Sequence, residues 1–438
     1  MLKVVKFGGS SLASAEQFKK VKNIITSDSD RRYVVPSAPG KRNSSDTKVT
    51  DMLYHCYSKA ENGENFDNEM KSIAARYQEI IDGLGLTADL TGEFEEIKKQ
   101  FAGKAGRDYA ASRGEYLNGI LLANYLGFEF IDSAKYIFFD DNGAFLPEET
   151  NKALSEKLAA VGKAVIPGFY GSRLSDGSVK TFSRGGSDIT GSIVARAADA
   201  SIYENWTDVS GFLVTDPRIV PNPQVIETIT YKELRELSYM GATVLHEDAI
   251  FPVRTAGIPI NIRNTNAPED PGTIIVENTS RKPRCTITGI AGKKGFTSIH
   301  IEKDMMNSEI GFGRKVLQAF EDNGISFEHM PSGIDTLTVY VLQSAFEAHE
   351  QEVLNQISKT TNPDTVEIET DLALIAVVGR AMKSKWGTAA KIFTALTNAS
   401  INVKMIDQGS SEQNVIIGVR NHDFEAAIKA IYNAFCPE

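Results

Sequence analysis

Leu2-Lys3-Val4-Val5-Lys6-Phe7-Gly8-Gly9-Ser10-Ser11 opens the chain with a short apolar, β-branched run that breaks on two glycines. Apolar residues then recur at Phe18, Val21 and Ile25, at helical spacing. The segment reads strand, glycine turn, helix. Adjacent glycines let the backbone approach phosphate oxygens, and the N–H groups of the turn and helix start face the anion. Lys6, at the strand end, can reach the same anion and offset its charge. Glycine turns of this kind are common, so the motif is weak alone. No GxxxxGK[ST] loop occurs in the chain, and the Gly-rich loop, HRD and DFG set of protein kinases is missing.

The same pattern continues downstream. Tyr33-Val34-Val35 reads as a second buried strand, and Ser37 to Asp46, rich in Ser, Pro, Gly and Lys, as a mobile loop. Helical, charge-mixed sequence fills Thr50 to about Asn124. Strands return at Phe128–Ile131, Ala164–Pro167, Val179–Phe182 and Ser201–Trp206. This alternation predicts an α/β layer with a largely parallel sheet. Such sheets bind ligands at the carboxyl ends of their strands. Two more glycine turns sit at strand ends. In Ser183-Arg184-Gly185-Gly186-Ser187-Asp188 the arginine suits bidentate capture of a carboxylate, while Ser187 or Asp188 also reads as a helix N-cap. Trp206-Thr207-Asp208-Val209-Ser210-Gly211 precedes Thr215-Asp216-Pro217-Arg218. There Asp208 can hold a magnesium-bound water or orient Lys6, and Asp-Pro also reads as an ordinary turn.

The C-terminal part repeats itself. Gly311 to Ile325 and Gly387 to Ile401 are helical patterns between strand-like runs, 76 residues apart (387 − 311), and the same offset places Thr338–Val341 on Asn414–Ile417. Each copy reads strand, helix, strand, strand, helix, which predicts two tandem α+β units.

At 438 residues two or three domains are expected. A net charge of −10 argues against a nucleic-acid partner, yet local Lys and Arg clusters can still hold small anions. Cys56, Cys285 and Cys436 are odd in number and far apart, which is neither a disulfide framework nor a metal-ligand spacing and fits a reducing compartment. Six histidines without an HExxH pattern argue against structural zinc, and no protein metal site is expected. The N-terminus lacks a signal-peptide pattern, and no apolar run nears the roughly 18 residues that span a bilayer. A cytoplasmic location without membrane contact is expected.

Taken together, KFGGSS (6–11), SRGGSD (183–188) and WTDVSGFLVTDPR (206–218) resemble the aspartate kinases of the amino acid kinase superfamily. Val49-Thr50-Asp51, Ser112-Arg113-Gly114-Glu115 and Gly241-Ala242-Thr243-Val244-Leu245-His246 also match. The resemblance spans nearly the whole chain. It implies a three-layer α/β/α catalytic domain over 1–284 and a regulatory domain over 285–438, made of two ACT-like, ferredoxin-like modules at about 296–365 and 370–438. It implies transfer of the γ-phosphoryl of ATP, with Mg2+, to the β-carboxylate of L-aspartate, giving 4-phospho-L-aspartate at the start of lysine, threonine and methionine biosynthesis.

By position, the resemblance makes Lys6 the group that stabilises the transferring phosphoryl and Gly8, Gly9 and Ser10 its cradle. Thr50, Glu115, Arg184 and Ser187 form the aspartate site, with Glu115 facing the α-ammonium. Asp188 orients Lys6, and Thr207, Asp208, Asp216 and Arg218 contact nucleotide. Leu213 and Thr243 stand where some relatives carry tyrosine and lysine. The implied effector pocket draws on Met306, Ser308, Gly311, Phe312, Glu328, Ser332 and Gly333. The implied effector is L-lysine, with L-threonine as a second candidate, and the modules pair into a homo-oligomer. Two other readings compete. A sister kinase for glutamate or N-acetylglutamate does not explain the TDPR run or the tandem repeats. A catalytically inactive amino-acid sensor does not explain an intact Lys6, Arg184 and Asp188.

Overall fold

The opening run forms β1 (Lys3–Phe7), in which Val4, Val5 and Phe7 are fully buried. Each such side chain contributes roughly 1.5–3 kcal/mol by leaving water. A 3-10 turn over Gly9–Leu12 leads into α1 (Ala15–Thr26). The Ser14 hydroxyl caps α1 by accepting from Gln17 N, and Phe18, Val21, Ile24 and Ile25 line its buried face. The structure is a computed structural model that describes residues 1–183, 185–242, 250–279 and 285–436. It divides into two compact units. The first is Met1–Phe212, Val225–Tyr231 and Val244–Thr279; the second is Leu213–Gln224, Lys232–Thr243 and Ser280–Glu438.

Next come β2 (Arg31–Pro36) and four helices, α2 (Val49–Glu61), α3 (Asp67–Leu84), α4 (Thr91–Ala102) and α5 (Arg107–Leu126). After them the chain runs through β3 (Glu129–Phe130), β4 (Phe138–Phe139), α6 (Pro147–Ala159), β5 (Ala164–Val165), β6 (Tyr170–Arg173) and β7 (Val179–Thr181). Then follow α7 (Gly186–Ala197), β8 (Ile202–Thr207), β9 (Thr228–Thr230), α8 (Tyr231–Tyr239), α9 (Phe251–Thr255), β10 (Ile260–Asn264) and β11 (Thr273–Val276).

The main sheet of the first unit has the order β3-β5-β2-β1-β8-β10-β11-β9, and its pairings are parallel except β10 with β11. One face packs Val5, Phe7, Val34, Val165 and Trp206 against α1 to α5. On the other face α7 crosses β1, β2 and β8. This is the expected three-layer architecture, with both faces of a parallel sheet covered. β4, β6 and β7 form a small separate sheet. The expected mobile loop at 37–46 is tied down instead. Ser37 N donates to Phe7 O, Gly40 N to Gly9 O, and Arg42 and Arg76 both pair with Asp46.

The second unit holds β12 (Gly289–Glu302), α10 (Phe312–Asp322), β13 (Phe327–His329), β14 (Thr336–Leu342), α11 (Gln343–Glu347) and α12 (Glu350–Thr361). β15 (Thr365–Val378), α13 (Thr388–Asn398), β16 (Met405–Asp407), β17 (Asn414–Arg420) and α14 (Phe424–Phe435) follow, and most of α8 also belongs to this unit. Its antiparallel sheet runs β13-β14-β12-β15-β17-β16. Two ferredoxin-like modules share this sheet. Residues 296–302 of β12, β13, β14 and the first half of β15 make one. The second half of β15, β16, β17 and residues 289–294 of β12 make the other. The second module thus takes its fourth strand from before the first module, an element that the expected span of 370–438 omits.

The repeat offset changes along the copy. Helices α10 and α13 start 76 residues apart (388 − 312), whereas β14 and β17 start 78 apart (414 − 336). The connection from Asn398 to Met405 is two residues longer than that from Asp322 to Phe327. A two-residue shift keeps every side chain on its own face, which is why the apolar runs also superpose at 76.

Folding brings two of the three separated cysteines together. Cys285 Sγ and Cys436 Sγ lie 3.7 Å apart, both reduced. Cys56 is buried alone, and desolvation pushes its thiol up to about 12. Treatment of the native protein with diamide is expected to join Cys285 to Cys436 and leave Cys56 reduced. Mass spectrometry of an unreduced digest checks this; a modified Cys56 with the other two still free would contradict it.

Candidate active site

Lys6 lies near the end of β1, and Asn205 faces it in register on the parallel neighbour β8. Both side chains meet the first turn of α7. Lys6 Nζ lies 2.6 Å from Asp188 Oδ1 and 3.4 Å from Asn205 Oδ1. Asn205 Nδ2 donates to the same Asp188 oxygen at 2.8 Å. The helix start favours a carboxylate at that position. Gly185, with φ 58°, makes the left-handed entry into α7 that aims Asp188 at the strand ends. Lys6 Nζ also sits beneath the glycine turn: a methyl built on Gly8 would lie 3.6 Å from it.

Alternate residues of β8 anchor the strand from the opposite face. Glu204, buried, pairs with Arg31 at 2.8 Å and accepts from Trp206 Nε1 at 2.9 Å. The Trp206 ring stacks on Phe7 and lies 5.2 Å from the Arg31 and 4.6 Å from the Arg263 guanidinium. Removing one side of a buried ion pair of this kind costs about 3–5 kcal/mol.

Beside the turn opens a cleft of about 600 Å³, lined by Gly9, Ser10, Lys48, Thr50, Glu115 and Asp208 among others. One wall is the loop after β2. Its backbone touches the glycine turn so closely that a side chain on Gly40 would meet the Gly9 carbonyl carbon at 2.6 Å, and one on Gly9 would meet Ala38 O at 2.9 Å. Asn118 of α5 donates to Ser37 O at 2.6 Å, and the buried Arg76 donates to Ala13 O and Gly40 O. Thr50 occupies the first turn of α2.

Glu115 projects from α5 and is only 5% exposed, and its Oε2 has no hydrogen-bond partner. Burial pushes its carboxyl up to about 8; a backbone hydrogen bond from Ala38 and the charge of Arg113 oppose that push. A buried, unpartnered carboxyl oxygen in a polar cleft is a receptor for a cation or a hydrogen-bond donor.

The structure therefore brings together Lys6, Gly8, Gly9, Ser10, Asp188, Thr50, Glu115 and Asp208. Ser187 sits in the first turn of α7, and Thr207 donates to Asp208 at 3.3 Å. It is Asp188, not Asp208, that holds Lys6. Asp216 and Arg218 belong to the second unit and pair with each other at 2.6 Å. Arg184 and Thr243 lie outside the described residues. In the second unit Met306 and Phe312 belong to the core of the first module. Gly311 caps α10, Ser308 ends a 3-10 turn, Glu328 accepts from Tyr239 OH at 2.6 Å, and Ser332 and Gly333 lie in the turn before β14. Sequence reasoning missed Asn205. Its signal was a polar residue inside a buried strand, flanked by Glu204 and Trp206. Among the described residues no cluster of three or more His, Cys, Asp or Glu is arranged to hold a metal, and no helix is long and apolar enough to cross a membrane.

Comparison with known proteins agrees with this layout. The Amino acid kinase family profile matches residues 1–264, and an ACT domain profile matches 375–435. The chain is 40% identical to aspartokinase 3 of Bacillus subtilis, covering 99% of this chain and 98% of that protein. It is similar in structure to the aspartate kinase of Clostridium acetobutylicum, an allosteric enzyme, with a TM-score of 0.92, 55% identity and 99% of both chains covered. E. coli aspartokinase III, solved with aspartate and ADP, shares the fold at a TM-score of 0.72 and 24% identity over 99% of both chains. The same protein, solved with lysine and aspartate, gives a TM-score of 0.75 at the same identity and coverage.

The raised Glu115 carboxyl has a consequence for stability. The proton it holds stabilises the fold fully below the unfolded value near 4.5, and that contribution is lost as pH rises through about 8. Glu115→Gln has no proton to lose. Relative to wild type, its melting temperature in the absence of ligands is expected to rise by several degrees between pH 5 and pH 8.5. Thermal denaturation at both pH values measures this, and an unchanged difference would contradict the buried-acid assignment.

Proposed function

This chain belongs to the aspartate kinases of the amino acid kinase family, and on that premise we propose that it moves the γ-phosphoryl of ATP onto the β-carboxylate of L-aspartate. The observation that carries this reading is the Lys6–Asp188–Asn205 cluster under a glycine turn, beside a cleft that holds an unpartnered Glu115. E. coli aspartokinase III, solved with aspartate and ADP, points the same way.

The β-carboxylate of aspartate is already ionised at pH 7, so no general base is needed. One of its oxygens forms a bond to the γ-phosphorus. The bond from that phosphorus to the β,γ-bridging oxygen breaks, and ADP leaves with the electron pair. The chain must align two anions and neutralise the charge that spreads over the phosphoryl oxygens. Lys6 supplies positive charge there, while Asp188 and Asn205 hold its ammonium in place. The glycine turn offers backbone N–H groups to the phosphates. Glu115 receives the substrate α-ammonium, ionising as it binds, and Thr50, Arg184 and Ser187 complete the aspartate site. Thr207, Asp208, Asp216 and Arg218 are assigned to the nucleotide. Asp208, which lines the cleft with Gly9 and Ser10, would hold magnesium, and the ion when bound would neutralise charge on the phosphates.

Residues 1–284 are assigned to catalysis and 285–438 to regulation. Ile310 and Trp386, fully exposed, precede Gly311 and Gly387 at matched positions of the two modules. Such repeated apolar exposure suits pairing with a second copy, which supports a homo-oligomer. L-Lysine is the effector assigned to the first module, around Met306, Ser308, Gly311, Phe312, Glu328, Ser332 and Gly333, with L-threonine as a second candidate. The E. coli enzyme solved with lysine supports this choice. Three free cysteines suit a reducing compartment, which supports a cytoplasmic location.

Hydroxylamine trapping of the acyl phosphate is expected to give hydroxamate with L-aspartate and none with L-glutamate or N-acetyl-L-glutamate. Lys6→Ala should lower kcat by about a hundredfold or more while KM changes little; near-normal turnover would refute the role of Lys6. Millimolar L-lysine is expected to inhibit the wild-type enzyme, and unchanged activity with both lysine and threonine would refute the regulatory assignment.

A further inference from the structure

The loop between β2 and α2 carries three basic side chains, Lys41, Arg42 and Lys48, and Arg76 of α3 packs beneath it. They divide sharply. Arg42 is spent on Asp46 and Glu79, at 2.9 and 2.5 Å. Arg76 is buried and holds Asp46 together with the carbonyls of Ala13 and Gly40. Lys41 and Lys48 make no ion pair or hydrogen bond with any described side chain, and both line the cleft that contains Gly9, Ser10, Thr50 and Glu115. The loop's own acid, Asp46, is therefore taken up by arginines, which leaves two lysine charges for the cleft.

The charge balance of the cleft calls for them. Lys6 has the Asp188 carboxylate beside it at 2.6 Å, so its ammonium offsets only part of the charge that two anionic substrates bring. Asp208 and Glu115 add acid to the lining. Two unit charges of like sign 4 Å apart repel by about 4 kcal/mol near a protein surface, and phosphoryl transfer brings a polyphosphate and a dicarboxylate closer than that. We propose that Lys41 and Lys48 are substrate-contacting residues, Lys41 for the terminal phosphates of the nucleotide and Lys48 for the side-chain carboxylate of the acceptor. This deepens, and rests on, the phosphoryl-transfer reading above. Their division follows from where the loop is anchored. Lys41 follows Gly40, whose N–H donates to Gly9 O at 2.8 Å, beside the phosphate turn. Lys48 directly precedes α2, two residues before Thr50, and Val49 N is fixed to Pro39 O. The backbone bonds hold both side chains at the cleft while leaving their ammonium groups open to an anion.

Both lysines are surface groups, so methionine can replace either without emptying a core. In the hydroxamate assay, Lys41→Met is expected to raise KM for ATP at least about tenfold and Lys48→Met to raise KM for aspartate by a similar factor. Lys41→Arg and Lys48→Arg, which keep the charge, should recover most of the loss. Wild-type activity with both methionine variants within twofold of it in each KM overturns the assignment, and so does a loss as deep with arginine as with methionine, which would mean packing instead of charge. A wild-type enzyme that forms no hydroxamate overturns the phosphoryl-transfer reading itself and this assignment with it.

Discussion

Lys6 and Asp188 are 2.6 Å apart, and that ion pair ties the end of one strand to the start of a helix that the sequence places 182 residues later (188 − 6). Parallel pairing of β1 with β8 sets Asn205 opposite Lys6, and Asn205 then binds both partners. The left-handed Gly185 turns the chain so that Asp188 arrives from the covering helix layer. On the opposite face Glu204 and Trp206 lock the same strand against Arg31 and Arg263. A charged hydrogen bond of this type contributes roughly 1.5–3 kcal/mol, but its chief effect is geometric, because it keeps one ammonium aimed at one place.

The cleft beside this pair is built from groups left partly unsatisfied. Glu115 carries an oxygen without a partner in a site that disfavours its charge. Lys41 and Lys48 lack acid partners among the described residues. In a buried core such groups would be a cost without return. In a cleft they are the groups that a zwitterionic, dicarboxylic substrate and a polyphosphate would satisfy. The loop that carries the lysines is held by ordinary structural bonds, through Asp46, Arg76 and the Gly9–Gly40 backbone contact, so its free charges do not come at the expense of order.

The second unit shows a different economy. Its two modules share one continuous antiparallel sheet because β12 and β15 are each 14 residues long and serve both. One module's strands continue directly into the other's, so neither has an open edge at the join. Ile310 and Trp386, both fully exposed, stand at matched positions ahead of equivalent helices.

Much of this was legible from residues alone. The strand–glycine–helix grammar, the largely parallel sheet and the doubled C-terminal unit follow from local spacing, because apolar periodicity and glycine turns act over a few residues; the pairing of Asp188 with Lys6 was implied only by the family resemblance. Four things did not follow. The polar Asn205 is mute until pairing with β1 puts it opposite Lys6. The loop at 37–46 reads as mobile from composition, yet distant partners on α3 and α5 hold it. Cys285 and Cys436 are 151 residues apart in sequence and 3.7 Å apart in space. The fourth strand of the second module precedes the first module. Each of these depends on a contact between residues far apart in the chain. Short-range propensity determines which elements form; register and long-range packing decide which side chains meet.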